Sequence, residues 1–539
     1  MAKGKSKDTV SKGKPDSSSR TLDIGVRSAG LATFVFIGKF ISIIFGAAML
    51  IILARVLGPS NYGMYVVALA TAGFIGAFGS INIGAYFNKR LPELVYSRKL
   101  NLAGTLIGDA VVFVLLISVV LTAAGVLLSG YLSSSLFGSS TYFYYIIIAV
   151  AGIFWIILYP ILNTALVGIG NGIEIAISTM ASLISQSIVS ITLVLLGFGA
   201  IGAIGGYLSG FAIAALLTLY YINRHIPVSF SSFEFIKRLR GMLAFSVPLT
   251  LSGILGTLSS NFSVMFMGIL LISSGVIGQY GVSMKVGNVI DVASGAIGVV
   301  LVPMFATAIY HKQSMEKIGK LYHSTLYYGL LFAAPMIVYA SALSYDIIVT
   351  VFTQSYNLAV TYMPLVSIGI LISLIGGYAS AVLIGFGKVR KILRFSIYTV
   401  AAQFVAMIAL GVLFRVIGII IGYFFIGSIV SAFLYMRELR NFGLKIKIGP
   451  FARLALSNIL LAIVLFVISN VRIRPLYLLA IGIFASFLVY PAALAATGAV
   501  SKDDLKILGK VGNEIPVVGR MLQLTIAYAK MFLRRESAS

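Results

Sequence analysis

Long apolar runs alternate with short polar breaks along the whole chain. Runs of spanning length lie near 30–54, 62–86, 102–129, 142–168, 174–197, 200–222, 241–272, 276–309, 320–342, 358–385, 392–413, 416–436, 453–470 and 475–497. Each is long enough to cross a hydrocarbon core of about 30 Å, which takes roughly 20 helical residues. The runs are continuously apolar, whereas barrel strands alternate in short segments. The pattern predicts an all-α polytopic membrane protein with about fourteen transmembrane helices. Composition agrees, with 59 % hydrophobic and 10 % charged residues, where a soluble domain carries about a quarter charged. A soluble enzyme, a disordered chain and a single-span anchor are excluded.

Charge adds orientation. The net charge is +25, from 40 Lys+Arg against 15 Asp+Glu. Alternate breaks hold half of these basic residues, and both tails add more: Lys89, Arg90, Arg98 and Lys99; Arg224, Lys237, Arg238 and Arg240; Lys312, Lys317 and Lys320; Lys388, Arg390, Lys391 and Arg394; Arg437, Arg440, Lys445, Lys447 and Arg453. The other breaks keep only Arg55, Arg415, Arg472 and Arg474. Basic loops stay on the cytoplasmic side, so both termini are expected there, in the plasma membrane. The basic excess then serves orientation and contact with anionic membrane lipids, and a nucleic-acid partner is not expected. The segment 1–28 reads as a basic tail, because the apolar run behind it is too long for a signal-peptide core.

The longest basic link, 223–240, separates an N-lobe of six spans, 29–222, from a C-lobe of six, 241–440. A further pair of spans follows at 441–498, and 499–539 forms a tail whose residues 515–535 pattern as an amphipathic surface helix. The lobes share an echo. Val56-Leu57-Gly58-Pro59-Ser60-Asn61-Tyr62-Gly63 follows the first span, and Val276-Ile277-Gly278-Gln279-Tyr280-Gly281 follows the seventh. Paired helical repeats around a central cavity are a common transporter plan.

The chemistry available is narrow. There is no Cys, so no disulfide and no thiolate metal site can form. The three histidines, His225, His311 and His323, lack metal-ligand spacing, and neither a metal nor a cofactor is expected. Gly319-Lys320 and Gly387-Lys388 lack the rest of a phosphate-binding loop. Gly168-Ile169-Gly170-Asn171-Gly172 has no strand before it and reads as a turn. The longest charge-poor connection, 344–357, offers only Asp346, too little for a membrane-embedded glycosyltransferase, so no enzyme is expected.

The informative residues are charges inside spans, which are costly unless they face a cavity or a partner. Lys39 sits ~14 Å into the first span. Lys285 lies at similar depth in the eighth, with Asn288 and Asp291 in the same ~120° sector of the helix. Asp109 lies in the third span, and Asn261 gives the seventh a polar position. The two lysines, with Arg55 at the outer end of the first span, suit an anionic guest such as a phosphate or diphosphate. Asp109, Asn261, Asn288 and Asp291 are candidates for ion coupling or for lining a polar cavity. The alternatives are structural: the lysines pair with Asp109 or Asp291, and Arg55 caps a helix C-terminus.

Ile52-Leu53-Ala54-Arg55-Val56-Leu57-Gly58-Pro59-Ser60-Asn61-Tyr62-Gly63 resembles the first-loop signature of polysaccharide-biosynthesis flippases, oligosaccharide-lipid transporters of the MOP superfamily. Length, two six-helix lobes and an extra pair of spans agree. The resemblance implies a carrier of polyprenyl-linked oligosaccharides whose two lobes rock about a cationic cavity, with glycosyltransferases or a polymerase as partners. It places cations on the first and eighth helices, where Lys39 and Lys285 stand. The alternative within the superfamily is a cation-coupled exporter of drugs or other small molecules. Such relatives often carry an acid in the first helix, where this chain has Lys39.

Overall fold

A computed structural model describes residues 17–230, 234–311, 313–444, 448–501, 504–505 and 523, with 17–44, 135–136, 248–249, 289–300, 302–303, 306 and 310 described as backbone alone. The tail helix expected at 515–535 and the first sixteen residues lie outside the described set. The described residues form helices and turns, with no strand among them.

The first set of helices is built from α1 (Ser17–Ala77), α2 (Ile83–Tyr96), α3 (Leu100–Tyr131), α4 (Tyr142–Ala151), α5 (Ile153–Ile169), α6 (Gly172–Leu193) and α7 (Gly199–His225). The second is built from α8 (Phe235–Ile269), α9 (Ser274–Tyr310), α10 (Met315–Ala342), the short α11 (Ser344–Val351), α12 (Ala359–Gly385), α13 (Val389–Ile420) and α14 (Gly427–Asn441). The added pair is α15 (Ile448–Ser469) and α16 (Pro475–Ala496), packed on α10 and α11.

Among the described residues ten stretches are long and apolar enough to cross a membrane. Two of them, Gly172–His225 with 54 residues and Val389–Asn441 with 53, exceed any single crossing. Both double back, the first at Gly197 and Gly199, which have positive φ, and the second at Arg415. Bare backbone lets the antiparallel arms meet. A methyl on Gly206 would lie 2.2 Å from the Ser190 amide nitrogen, and one on Gly418 would lie 1.9 Å from the Leu410 carbonyl oxygen. The turns repeat in sequence, Phe198-Gly199-Ala200-Ile201-Gly202 against Phe414-Arg415-Val416-Ile417-Gly418. Gly418→Ala is expected to destabilise the C-lobe hairpin by roughly 1–3 kcal/mol, the usual range for overpacking. Thermal unfolding in detergent measures it, and an unchanged midpoint would contradict the close packing.

The second expected span, 62–86, is interrupted. Helix α1 runs through a kink at Gly58 (φ 69°, ψ 170°) and stops at Ala77. Asn82 then caps the start of α2, accepting from the Ala85 amide at 3.0 Å. The Gly79-Ser80-Ile81-Asn82 stretch explains the break, because glycine and polar side chains that bond the local backbone compete with the helix. Gly79 also packs where a methyl would meet Leu121 at 2.7 Å and Ile157 at 2.8 Å. The fourth span divides likewise, at Gly152 between α4 and α5.

The turns after α2, α7, α9, α12 and α14, with the helix ends beside them, share one end of the bundle and carry most of the Lys and Arg among the described residues, so this is the basic end. The opposite, charge-poor end holds Gly58, the α8–α9 turn, α11 and both hairpin turns.

Candidate functional site: the inter-lobe gap and its closures

Helix α1 lies between the two sets, packing on α6 and α7 of its own set and on α8 and α9 of the other. At the charge-poor end α1 and α9 cross backbone to backbone. A methyl on Gly63 would lie 1.7 Å from the Ser274 carbonyl oxygen, and one on Gly278 would lie 2.1 Å from the Pro59 carbonyl oxygen. One turn further in, Gly281 packs against Val66 and the ring of Tyr62. The two copies of the sequence echo therefore face each other across the pseudo-repeat. Small residues permit such close approach of membrane helices.

Polar contacts fasten the same end. The Arg55 guanidinium donates from Nε to the Val351 carbonyl at 2.7 Å and from Nη2 to the Thr350 carbonyl. Those are C-terminal carbonyls of α11, which have no partner within their own helix. The Tyr356 hydroxyl donates to the Ala54 carbonyl at 2.7 Å. Arg55 thus caps a helix C-terminus, and the helix belongs to the other lobe.

Inside this closure α8 has two unlike faces. Leu251, Ile254, Leu255, Leu258 and Phe262 share one side at 100° per residue. Gly253, Gly256, Thr257 and Ser260 share the other, and a methyl on Gly253 or Gly256 would meet nothing within 4 Å. Asn261 lies beside the small-residue face. Its amide nitrogen donates to the Thr257 carbonyl at 2.9 Å, and its side chain fills the space above Gly73 of α1. Ser259 points the other way, donating to Gln403 Oε1 at 2.7 Å.

On α9, Lys285 and Asn288 follow Gly278 and Gly281 by seven residues, two helical turns, and so occupy the same α1-facing side. Both side chains are exposed. The interior face beyond the crossing therefore leaves room around a cation and an amide. Lys39 belongs to α1, but its side chain and that of Asp291 on α9 lie outside the described residues. Among the described residues no group of His, Asp or Glu could hold a metal ion.

Asp109 sits elsewhere. It is buried near the basic end of α3 and ion-paired with Arg238, whose Nε donates to Oδ2 at 2.5 Å and whose Nη2 donates to Oδ1 at 3.1 Å. The inter-lobe link is strapped to α3 beside this pair. A methyl on Gly104 would lie 1.9 Å from the Pro227 carbonyl oxygen, and one on Gly108 would lie 2.2 Å from that of Ser229. Helix α2 meets α8 there too, through the Asn82 amide donating to Thr250 Oγ1 at 2.8 Å and the Lys89 ammonium 5.2 Å from the Phe245 ring centroid.

Sequence reading missed the strap and Arg238. The Gly104-x-x-x-Gly108 spacing signals close packing, but not what packs there.

The comparisons fit this geometry. The profile of the family described as "Polysaccharide biosynthesis protein" matches residues 52–361, 310 of the 539 residues. No curated protein matches the sequence. Among solved structures, the lipid II flippase MurJ in an inward closed conformation superposes with a TM-score of 0.69 at 15 % identity, covering 86 % of this chain and 98 % of that one. An inward-facing multidrug resistance MATE family transporter of the MOP superfamily gives 0.57 at 17 % identity, covering 77 % and 99 %. The MATE multidrug transporter DinF-BH gives 0.57 at 15 % identity, covering 77 % and 94 %. The chain is a multi-pass membrane protein of the polysaccharide biosynthesis protein family, and its fold is that of the MOP superfamily transporters.

Proposed function

We propose that this protein is a flippase for polyprenyl phosphate- or diphosphate-linked oligosaccharides, working by alternating access. The observation that carries the reading is the exposed Lys285–Asn288 pair on the gap face of α9, two turns inside the closure at the charge-poor end. A cation there attracts an anionic headgroup, and a low-dielectric wall strengthens charge-assisted hydrogen bonds to phosphate. Asn288 adds a neutral amide beside it. Lys39, on the first helix, is the second cation of the proposal, and Asp291 is its candidate for ion coupling. Asp109 and Arg55 have other work here, as tethers between the lobes.

With the basic end in the cytoplasm of a cell whose plasma membrane houses the chain, the closed end faces outward and the headgroup enters from inside. Glycosyltransferases or a polymerase would supply and consume the lipid-linked glycan on the two sides. The exporter reading stands second, supported by the fold shared with the multidrug transporters. It predicts transport of small amphipathic molecules that follows a proton or sodium gradient.

A flip assay in sealed proteoliposomes tests the proposal, using a polyprenyl-diphosphate glycan and an external enzyme that modifies only exposed headgroups. Lys285→Gln is expected to slow protein-dependent flipping about ten- to a hundredfold, the worth of a hydrogen bond to a charged group. The double substitution Lys39→Ala, Lys285→Ala is expected to abolish it in folded, inserted protein. Normal flipping by the double variant would sink the phosphate site. Absence of flipping by the unaltered protein, together with gradient-driven movement of a small amphipathic drug, would favour the exporter.

A further inference from the structure

The two hairpin turns adopt one backbone conformation with different residues. Gly199 has φ 54° and ψ −138°, and Arg415, its counterpart in the repeated Phe-x-x-Ile-Gly, has φ 53° and ψ −129°. That region of conformational space suits glycine and strains any residue with a Cβ. The N-lobe uses glycine there. The C-lobe holds an arginine in a glycine's place, so its side chain is the feature that offsets the strain.

That side chain lines an open, shallow cavity. One nitrogen, Nη1, donates to the Leu270 carbonyl at 2.7 Å, and among the described residues the guanidinium makes no other hydrogen bond. The cavity, of about 380 Å³, is lined by Leu271, Val276, Tyr362, Phe414, Ile417 and Arg415 itself. Arg415 supplies the one formal charge of this lining. Phe414 of this lining and the two residues before it, Val412 and Leu413, are 59 %, 60 % and 70 % exposed on a membrane-spanning helix, where lipid chains are their solvent.

We propose that Arg415 and this cavity form a binding site for an anionic phospholipid, one whose phosphate no headgroup cation neutralises, in the leaflet at the charge-poor end. The free guanidinium nitrogens would take the phosphate in the forked geometry that arginine favours. The apolar cavity and the Val412–Phe414 face would take the upper part of the acyl chain. A lipid is favoured over a free anion because the wall is apolar and opens onto residues that lipid already covers. The site is separate from Lys285 and holds under either transport reading.

The test places a reporter in the cavity wall. Tyr362→Trp in a Trp155→Phe background gives a single tryptophan, since the chain has one Trp. In nanodiscs, brominated phosphatidylglycerol is expected to quench it severalfold more than brominated phosphatidylcholine. Arg415→Gly is expected to equalise the two while leaving the unfolding temperature unchanged or higher, because glycine relaxes the turn. Arg415→Lys is expected to keep part of the preference. Equal quenching by the two lipids in protein carrying Arg415 would overturn the site. So would an Arg415→Gly variant that unfolds earlier yet keeps the preference, since the arginine would then be only a tie to Leu270. Displacement of the brominated lipid by millimolar inorganic phosphate would overturn the assignment to a lipid.

Discussion

A disulfide between cysteines introduced as Ser60→Cys and Gly275→Cys is expected to form under mild oxidation and to stop transport until it is reduced. A Cβ on Gly275 would lie 3.3 Å from the Ser60 hydroxyl oxygen. That places the two Cβ atoms near the 3.5–4.5 Å that a disulfide spans, about what an unstrained bridge needs. The bridge would join α1 to α9 across the Gly63–Gly278 crossing, where the proposed alternating access requires the helices to part. The chain contains no cysteine of its own, so every crosslink reports this pair. Gel mobility with and without reductant measures formation, and the flip assay measures the block. A fully crosslinked protein that still transports would show that this crossing stays shut throughout the cycle and that the pathway lies elsewhere.

Removing the carboxylate of Asp109 is the second large effect. Asp109→Ala is expected to destabilise the protein by about 3–5 kcal/mol, the usual cost of leaving one partner of a buried ion pair uncompensated. Asp109 is 2 % exposed and Arg238 15 %, so water cannot readily replace the lost partner. Combining Asp109→Leu with Arg238→Met should recover most of the loss, since the unpaired charge is gone and apolar volume remains. Thermal unfolding of the single and double variants closes the cycle. Additive losses would mean that the two side chains do not act as a pair, and that the strap is held by the glycine contacts at Gly104 and Gly108 alone.

Much of the fold was written in plain hydropathy. Span positions, the basic and charge-poor ends, the link after α7 and the echoed Tyr-Gly segments are all local features, and local features survive in one dimension. The pairings are not local. Arg55 has the residue type of a helix cap, but its partners, Thr350 and Val351, lie about three hundred positions away on α11. Asp109 counted as a membrane-embedded acid because it lies several residues into an apolar run. The link returning over α3 buries it beside Arg238 instead, and no count along the chain predicts that return. The break at Phe78–Asn82 was hidden for the opposite reason, since its residues are apolar enough to extend a hydrophobic window while glycine and serine end the helix inside it. Lys285 and Asn288 were legible as a pair because three-residue spacing fixes a shared helix face whatever the tertiary packing.

The interruption between α1 and α2 bears on leakage. An unbroken helix from Pro59 to Tyr96 would be a rod of about 57 Å at 1.5 Å per residue. Tilting one end of such a rod tilts the other, so releasing the crossing with α9 would wrench the contacts of α2 with α8. With the hydrogen-bond ladder cut at Phe78–Asn82, the segment bearing Gly63 can swing while Asn82 keeps its bond to Thr250 and Lys89 stays over Phe245. The two ends then carry separate free-energy differences. Under the alternating access proposed above, a state with both shut becomes an ordinary intermediate, and cargo would pass without the two aqueous phases ever being connected by an open pore.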